Sequence, residues 1–222
     1  MKKTLLLAAL AASAMGTAVM AADQPAAPPP PMTFFATSEN HTGNLGGLAG
    51  ADAICQRLAV AAGSPATRTW HAYLSTQGAG AVNARDRIGA GPWHNAKGVL
   101  MAPNVADLHG DNERDRNNFR KPNVLTEKGA TVNGFGDMPN EHDIMTGSDS
   151  LGRAFGAAVN DDRTCRNWTV DSDDNTHAQV GHTDRLGGGN ASWNSAHATP
   201  GCSVASLARV GGAGKLFCFA IN

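Results

Sequence analysis

Aromatic residues make up only 5% of this 222-residue chain, with a single tyrosine, so any core must draw heavily on small and aliphatic side chains. Neither sign of charge is in excess. With 18 basic and 19 acidic residues the net charge is -1, and the two signs are interspersed, which excludes the basic footprint of a nucleic-acid binder. No second long apolar run follows the N-terminal one, so no membrane span is expected beyond it. The common catalytic signatures are missing too: there is no G-x-S-x-G elbow, no Walker loop, no dinucleotide fingerprint, no HExxH helix and no CxxC pair. Asp161 and Asp162 are sequence neighbours, which does not place an acid opposite a base across a cleft. The expectation is a protein that is not an enzyme, with an unrecognised metal-dependent hydrolase as the minor alternative.

What is present begins with a leader. Lys2 and Lys3 precede an apolar run from Leu5 that is broken by Ser13, Gly16 and Thr17, and Val19 and Ala21 stand where a signal peptidase reads. Residues 1–21 are therefore expected to be a cleaved secretory signal, making the protein secreted or periplasmic. Residues 22–32 are rich in proline and alanine, with Pro28 to Pro31 consecutive, and should lie extended as a spacer. Residues 33–222 then suit one domain. Four cysteines in an exported chain imply two disulfides, with three pairings open to Cys55, Cys165, Cys202 and Cys218.

Local patterns suggest short elements. Thr33 to Ser38 is β-prone. Leu48, Ala51, Ile54, Cys55, Leu58 and Ala62 fall at helical spacing, with glycines at the start and Gly63 and Pro65 at the stop, so Cys55 belongs on the buried side of an amphipathic helix. In Thr69–Thr76, Trp70, Ala72 and Leu74 share one side of a strand and His71, Tyr73 and Ser75 the other. A short helix is expected near Val82–Ile88, and a strand-like Val-Leu-Met-Ala run leads to a turn into Val105–Leu108. Residues 109–123 read as a solvated loop. Further strands are expected at Ile144–Thr146, Trp168–Val170, Ala191–Trp193 and Leu216–Ala220, separated by Gly, Asn and Asp turns.

Candidate chemistry gathers in the second half. His142 with Asp143, His182 with Asp184, and His197 each adjoin a turn, and together they offer a polar ligand pocket or transition-metal donors if the fold brings them together. Hydrogen bonding of these histidines to loop backbone is the more ordinary expectation. Trp193 and Asn194 pair a flat apolar face with an amide that reads hydroxyl groups. These seven residues are taken as the ligand-binding set, with no metal assigned. Asp171–Asn175 fails the EF-hand pattern, because Thr176 holds the glycine position and His182 the glutamate position, and reads as a solvated turn.

Taken together, the helix cysteine after GNLGGLAGADAICQ, the strand TWHAYLST, Cys165 followed by Arg166-Asn167-Trp168-Thr169, and the closing LFCFA resemble the C-type lectin-like fold. The likeness is greatest to its endostatin-like branch and to bacterial exported lectin-like proteins, and it runs from about Phe34 to Phe219. The resemblance implies an α+β domain: a mixed short-stranded sheet flanked by two helices, paired terminal strands, a long loop region, and disulfides Cys55–Cys218 and Cys165–Cys202. It also implies a binding module that takes a glycan or an envelope or extracellular protein through residues 137–200, or else a structural or adhesive envelope protein. Sugar-binding relatives hold calcium with two carboxylate-bearing tripeptides. The nearest matches here, Met138-Pro139-Asn140 and Trp193-Asn194-Ser195, each lack the carboxylate, so no cofactor is expected, calcium being the ion the resemblance raises.

Overall fold

A computed structural model describes residues 27–110, 117–156, 159, 161–187 and 191–222. The expected signal segment, residues 1–21, and the start of the spacer lie outside the described residues. In chain order the elements are β1 (Phe34–Ala36), α1 (Gly47–Ala61), β2 (Trp70–Ala72), a 3-10 turn (Ala84–Asp86), β3 (Trp93–His94), β4 (Leu100–Ala102) and α2 (Val105–His109). They continue with β5 (Asp143–Met145), α3 (Cys165–Trp168), β6 (Gln179–His182), β7 (His197–Ala198), α4 (Val204–Arg209) and β8 (Gly212–Ala220). The protein is mixed α+β. Its main sheet runs β1-β8-β5-β6-β7, with β2 also paired to β8, and β3 and β4 form a separate hairpin.

β8 is the strand on which the others assemble. Its first part pairs in parallel with β5, Met145 opposite Leu216, while Cys218 lies opposite Phe35 of β1 and Ala72 of β2, both antiparallel. The pairing of first and last strands that the resemblance implies is present. Side chains along β8 alternate between two cores, as the period of a strand requires. Leu216, Cys218 and Ala220 join one cluster, Phe217 and Phe219 the other. β2 and the two residues after it divide likewise: Trp70, Ala72 and Leu74 enter the first core, and Tyr73, on the opposite side as its alternation predicts, enters the second.

The first core lies under α1, which buries Ala51, Cys55, Leu58 and Ala59. Both disulfides sit in it: Cys55–Cys218 ties α1 to β8 and Cys165–Cys202 ties α3 to the segment before α4, with Cα separations of 5.5 and 5.8 Å. Gly43 has to be glycine here, since a Cβ would lie 2.7 Å from the Cys165 Cβ. The second core holds Phe34, Tyr73, Trp93, Phe119, Trp193, Phe217 and Phe219. A chain poor in aromatics thus concentrates them on one face of the sheet, with Phe119 and Trp193 ring centroids 4.3 Å apart.

Several expected elements differ. Trp168–Val170 is no strand. All four residues of α3 have positive φ, from 48° at Cys165 to 68° at Trp168, so the chain makes a left-handed turn. That conformation costs roughly 1–2 kcal/mol per residue for side chains other than glycine. It is held because Cys165 is cross-linked, Trp168 is fully buried with Nε1 donating to the Ser75 carbonyl at 2.8 Å, and Asn167 Oδ1 accepts from Gln77 N–H at 2.7 Å. Ala191–Trp193 is likewise irregular, and Val82–Ile88 contains only the 3-10 turn. Val105–His109, into which a turn is expected to lead, is a short helix, and the Asn104 side chain caps it by accepting the Asp107 N–H at 2.8 Å. The solvated loop at 109–123 is also corrected within its described part: Asn117 and Phe119 are buried, Phe119 against Phe34. The resemblance implies two flanking helices; α1 and α4 pack on β8, and α2 and α3 are additional short segments.

The last part of the spacer is not free of the domain, since Pro29 and Pro30 lie over Gly98 in the turn between β3 and β4. Among the described residues no helix is long and apolar enough to cross a membrane.

Candidate functional site

Strand register brings the histidines together. Asp143, the first residue of β5, pairs with His182, the last of β6, and His197 opens β7 opposite Val180. His142 directly precedes β5. Four residues that are up to 55 positions apart in sequence therefore meet at one end of three adjacent strands.

Asp143 is the centre of the group. His142 Nε2 lies 3.3 Å and His182 Nε2 3.2 Å from its Oδ1, and His197 Nε2 lies 3.5 Å from its Oδ2. The Asp143 and Asp184 side chains are wholly buried and those of His142 and His182 nearly so, whereas His197 is 37% exposed and stands at the mouth. Although these separations suit ion pairs, no ring nitrogen is aligned to donate a straight hydrogen bond: both Asp143 oxygens and both His182 nitrogens are without a hydrogen-bond partner. The His142 and His182 rings stack with centroids 4.2 Å apart, and His197 meets His182 edge-on.

A second layer orients the first. His142 Nδ1 lies 3.0 Å from Asp184 Oδ1, and the Asp184 carboxylate also accepts the backbone N–H groups of Phe135 and Leu186 at 2.6 and 2.9 Å. His197 Nδ1 faces the Ala198 carbonyl at 3.1 Å. Burial pushes the Asp184 carboxyl up, but the His142 contact and the two backbone donors outweigh it and bring the pKa down to about 2. At Asp143 burial likewise acts upward, and the close imidazoles of His182 and His197 hold the carboxyl below its ordinary range. The Asp143 carboxylate in turn raises the pKa of His197. A cavity of about 160 Å³, lined by Phe135, Asn140, His142, His182, Gly187, His197 and Val210, opens onto the imidazoles.

Trp193 and Asn194 do not join this group. Gly181 packs so closely on them that a Cβ there would lie 2.0 Å from the Trp193 carbonyl oxygen, and the two side chains face the second core instead. Trp193 is 3% exposed among the aromatics. Asn194 is buried, its Nδ2 donating to the Tyr73 hydroxyl at 3.0 Å and to the carbonyls of Asp149 and Ser150 at 3.2 and 3.3 Å. Tyr73 Oη in turn meets His109 Nε2 at 2.7 Å. Above this network lies a separate cleft of about 450 Å³, lined by residues that include Leu108, Asn117, Ser150, Leu151, Arg185, Trp193 and Asn194. The structure thus divides the seven sequence candidates between two places.

Sequence reasoning missed His109, Asn117, Ser150 and Arg185 as parts of the cleft, and Tyr73 in the network beneath it. The only available signal was the lone tyrosine on the alternating strand TWHAYLST, whose hydroxyl needs a polar partner once buried. No protein-family model matches the chain, and no curated protein matches it.

Proposed function

We propose that this chain is an exported, non-catalytic binding module of C-type lectin-like architecture, recognising a glycan or an extracellular or envelope ligand through its 137–200 loop region. The observation that carries this reading is the cleft of about 450 Å³ in which the Arg185 guanidinium and the Ser150 and Ser192 residues stand around Trp193 and Asn194. Concave sites with a few convergent polar groups on an apolar floor are the usual form of a small-ligand site, and amides, hydroxyls and guanidinium match the vicinal hydroxyls of a sugar. The fold supports it as well, since β8 joins paired terminal strands and two disulfides fix the frame from which the loops project. Glycan-array binding by the secreted chain, lost in Ser150→Trp and Leu151→Trp variants that fill the cleft, is the expected result. Equal binding by wild type and both variants, or no glycan or envelope ligand at high protein concentration, would refute it.

A second reading is a structural or adhesive envelope protein with a protein partner. It is favoured by Met138, 93% exposed, and Val204, 62% exposed, which line a common groove with Pro139 and Val210. Stoichiometric co-purification of an envelope protein, unaffected by free sugars and abolished by Met138→Glu, separates it from the first.

A further inference from the structure

We propose that His142 Nε2, Asp143 Oδ1 and His182 Nε2 form a binding site for one borderline divalent transition-metal ion of the Zn²⁺ class. The argument starts from lone pairs. His142 has its Nδ1 committed to the Asp184 carboxylate, an acceptor, so Nδ1 carries the proton and the Nε2 lone pair points inward. His197 repeats the arrangement with Nδ1 on the Ala198 carbonyl. Both lone pairs therefore face the oxygens of Asp143, at 3.3 and 3.5 Å, and His182 adds a third nitrogen at 3.2 Å. Electron-rich atoms at such separations repel unless a cation lies between them.

A proton on each ring is the first alternative, and the directions oppose it. An imidazolium N–H would have to point along a line to Asp143, yet neither Asp143 oxygen has an aligned donor, and His182 has no partner at either nitrogen. Leaving such groups unpaired while 97% or more buried is unfavourable, because the hydrogen bonds they make with water are lost and nothing replaces them. A metal ion held by His142 Nε2, Asp143 Oδ1 and His182 Nε2 partners two of these orphans, Asp143 Oδ1 and His182 Nε2, at once.

The spacing suits the ion. All donor atoms lie within 4.8 Å of one another, so one ion can reach them. Zinc bonds of about 2.0–2.1 Å in a tetrahedron separate neighbouring ligand atoms by about 3.3–3.4 Å. The two nitrogen-to-Oδ1 separations are 3.3 and 3.2 Å. A two-imidazole, one-carboxylate donor set selects this class over calcium, which takes six to eight oxygens. The carboxylate behind His142 is the second-layer partner that zinc-bound histidines usually have. The cavity of about 160 Å³ beside His182 and His197 gives the ion a way in and leaves a fourth position for a solvent ligand.

The site lies apart from the cleft proposed for ligand recognition, so the failure of either leaves the other standing. The test uses the full chain, stripped with chelator and dialysed. Titration with Zn²⁺ should show one ion bound per chain, and Co²⁺ should give the intense visible bands of a four-coordinate site, bleached by added Zn²⁺. His182→Ala and Asp143→Ala should abolish both signals, with far-UV circular dichroism and disulfide mapping confirming that each variant folds. Asp184→Ala keeps all three ligands and should weaken binding by roughly 10- to 100-fold, which gives a readout even where a ligand variant does not fold. His94→Ala, on the β3–β4 hairpin, should change nothing. No uptake of Zn²⁺ or Co²⁺ by the wild type overturns the proposal, as does undiminished stoichiometric uptake by the His142→Ala, His182→Ala double variant or an unchanged dissociation constant in Asp184→Ala.

Discussion

The two ends of the main sheet are built on opposite principles. Where β1, β2 and β8 meet under α1, everything is apolar and covalently fastened: Cys55, Cys218, Trp70 and Trp168 are all essentially inaccessible. Where β5, β6 and β7 end together, the buried groups are a carboxylate and imidazoles with unfilled hydrogen-bonding capacity. β8 and β5 belong to both, so the difference is one of side chains on a shared backbone frame. The lesson is that apolar packing and cross-links are concentrated away from the end that carries the costly buried polar arrangement. Strained or unsatisfied groups persist only where the surroundings over-determine them.

The contrast can be broken most severely at the cross-link. Replacing Cys55 and Cys218 together by alanine removes a closure of 163 residues, and chain-entropy arithmetic gives a loss of about 5 kcal/mol, measurable as a lower urea midpoint. Trp168→Ala follows, with a loss of about 3–5 kcal/mol from the cavity and the orphaned Ser75 carbonyl in the same denaturation assay. At the polar end the sign reverses on adding an ion: Zn²⁺ at a hundred times its dissociation constant should raise stability by about 2.7 kcal/mol in wild type and not in His182→Ala. Asn194→Ala should cost about 1–3 kcal/mol, since it strips the Tyr73 hydroxyl and two loop carbonyls of their donor.

The smallest effect is one of pH, at His41, whose backbone N–H donates to the Ala213 carbonyl of β8. His41 is half-buried with no hydrogen-bond partner at Nε2. Burial lowers its pKa; Glu39 opposes this, while Arg57 and Lys215 add to it. A depressed folded pKa means that its contribution to stability is complete above the unfolded value of about 6.5 and is lost as pH falls through the folded value. Between pH 7 and pH 5 the wild type should therefore lose more stability than His41→Gln, by thermal melting in matched buffers. Equal losses would assign the acid sensitivity elsewhere.

What could be read in advance follows from where local pattern and tertiary demand agree. Leu216 to Ala220 is an unbroken apolar run of strand length, buried on both faces, and Cys55 sits on a helix whose apolar spacing is complete, so β8 and α1 were legible. Trp168 misled because an aromatic before two β-branched residues signals a strand, whereas the Cys165 cross-link and indole burial impose a left-handed turn that no propensity encodes. β6 and β7 escaped notice since Gln179-Val180-Gly181-His182 and His197-Ala198 carry too little alternation to register. The histidines and their aspartates were legible as candidates by residue type. Their separation from Trp193 and Asn194 was not, because it depends on which side of Gly181 each segment packs, and a glycine has no side chain to announce it.

The position of β8 also bears on how the molecule is made. β1, β2 and β5 all take their main-chain partner from Gly212–Ala220, so a ribosome that has delivered every residue before Gly212 has delivered a sheet without its keystone. Such a chain holds three short strands with exposed edges and one helix cysteine without its mate. Contacts between Phe34 and Phe219 span almost the whole domain, the long-range kind that makes folding slow. Completion of the sheet thereby waits on Gly212–Ala220, and a chain cut short of it leaves strand edges open to chaperones and proteases.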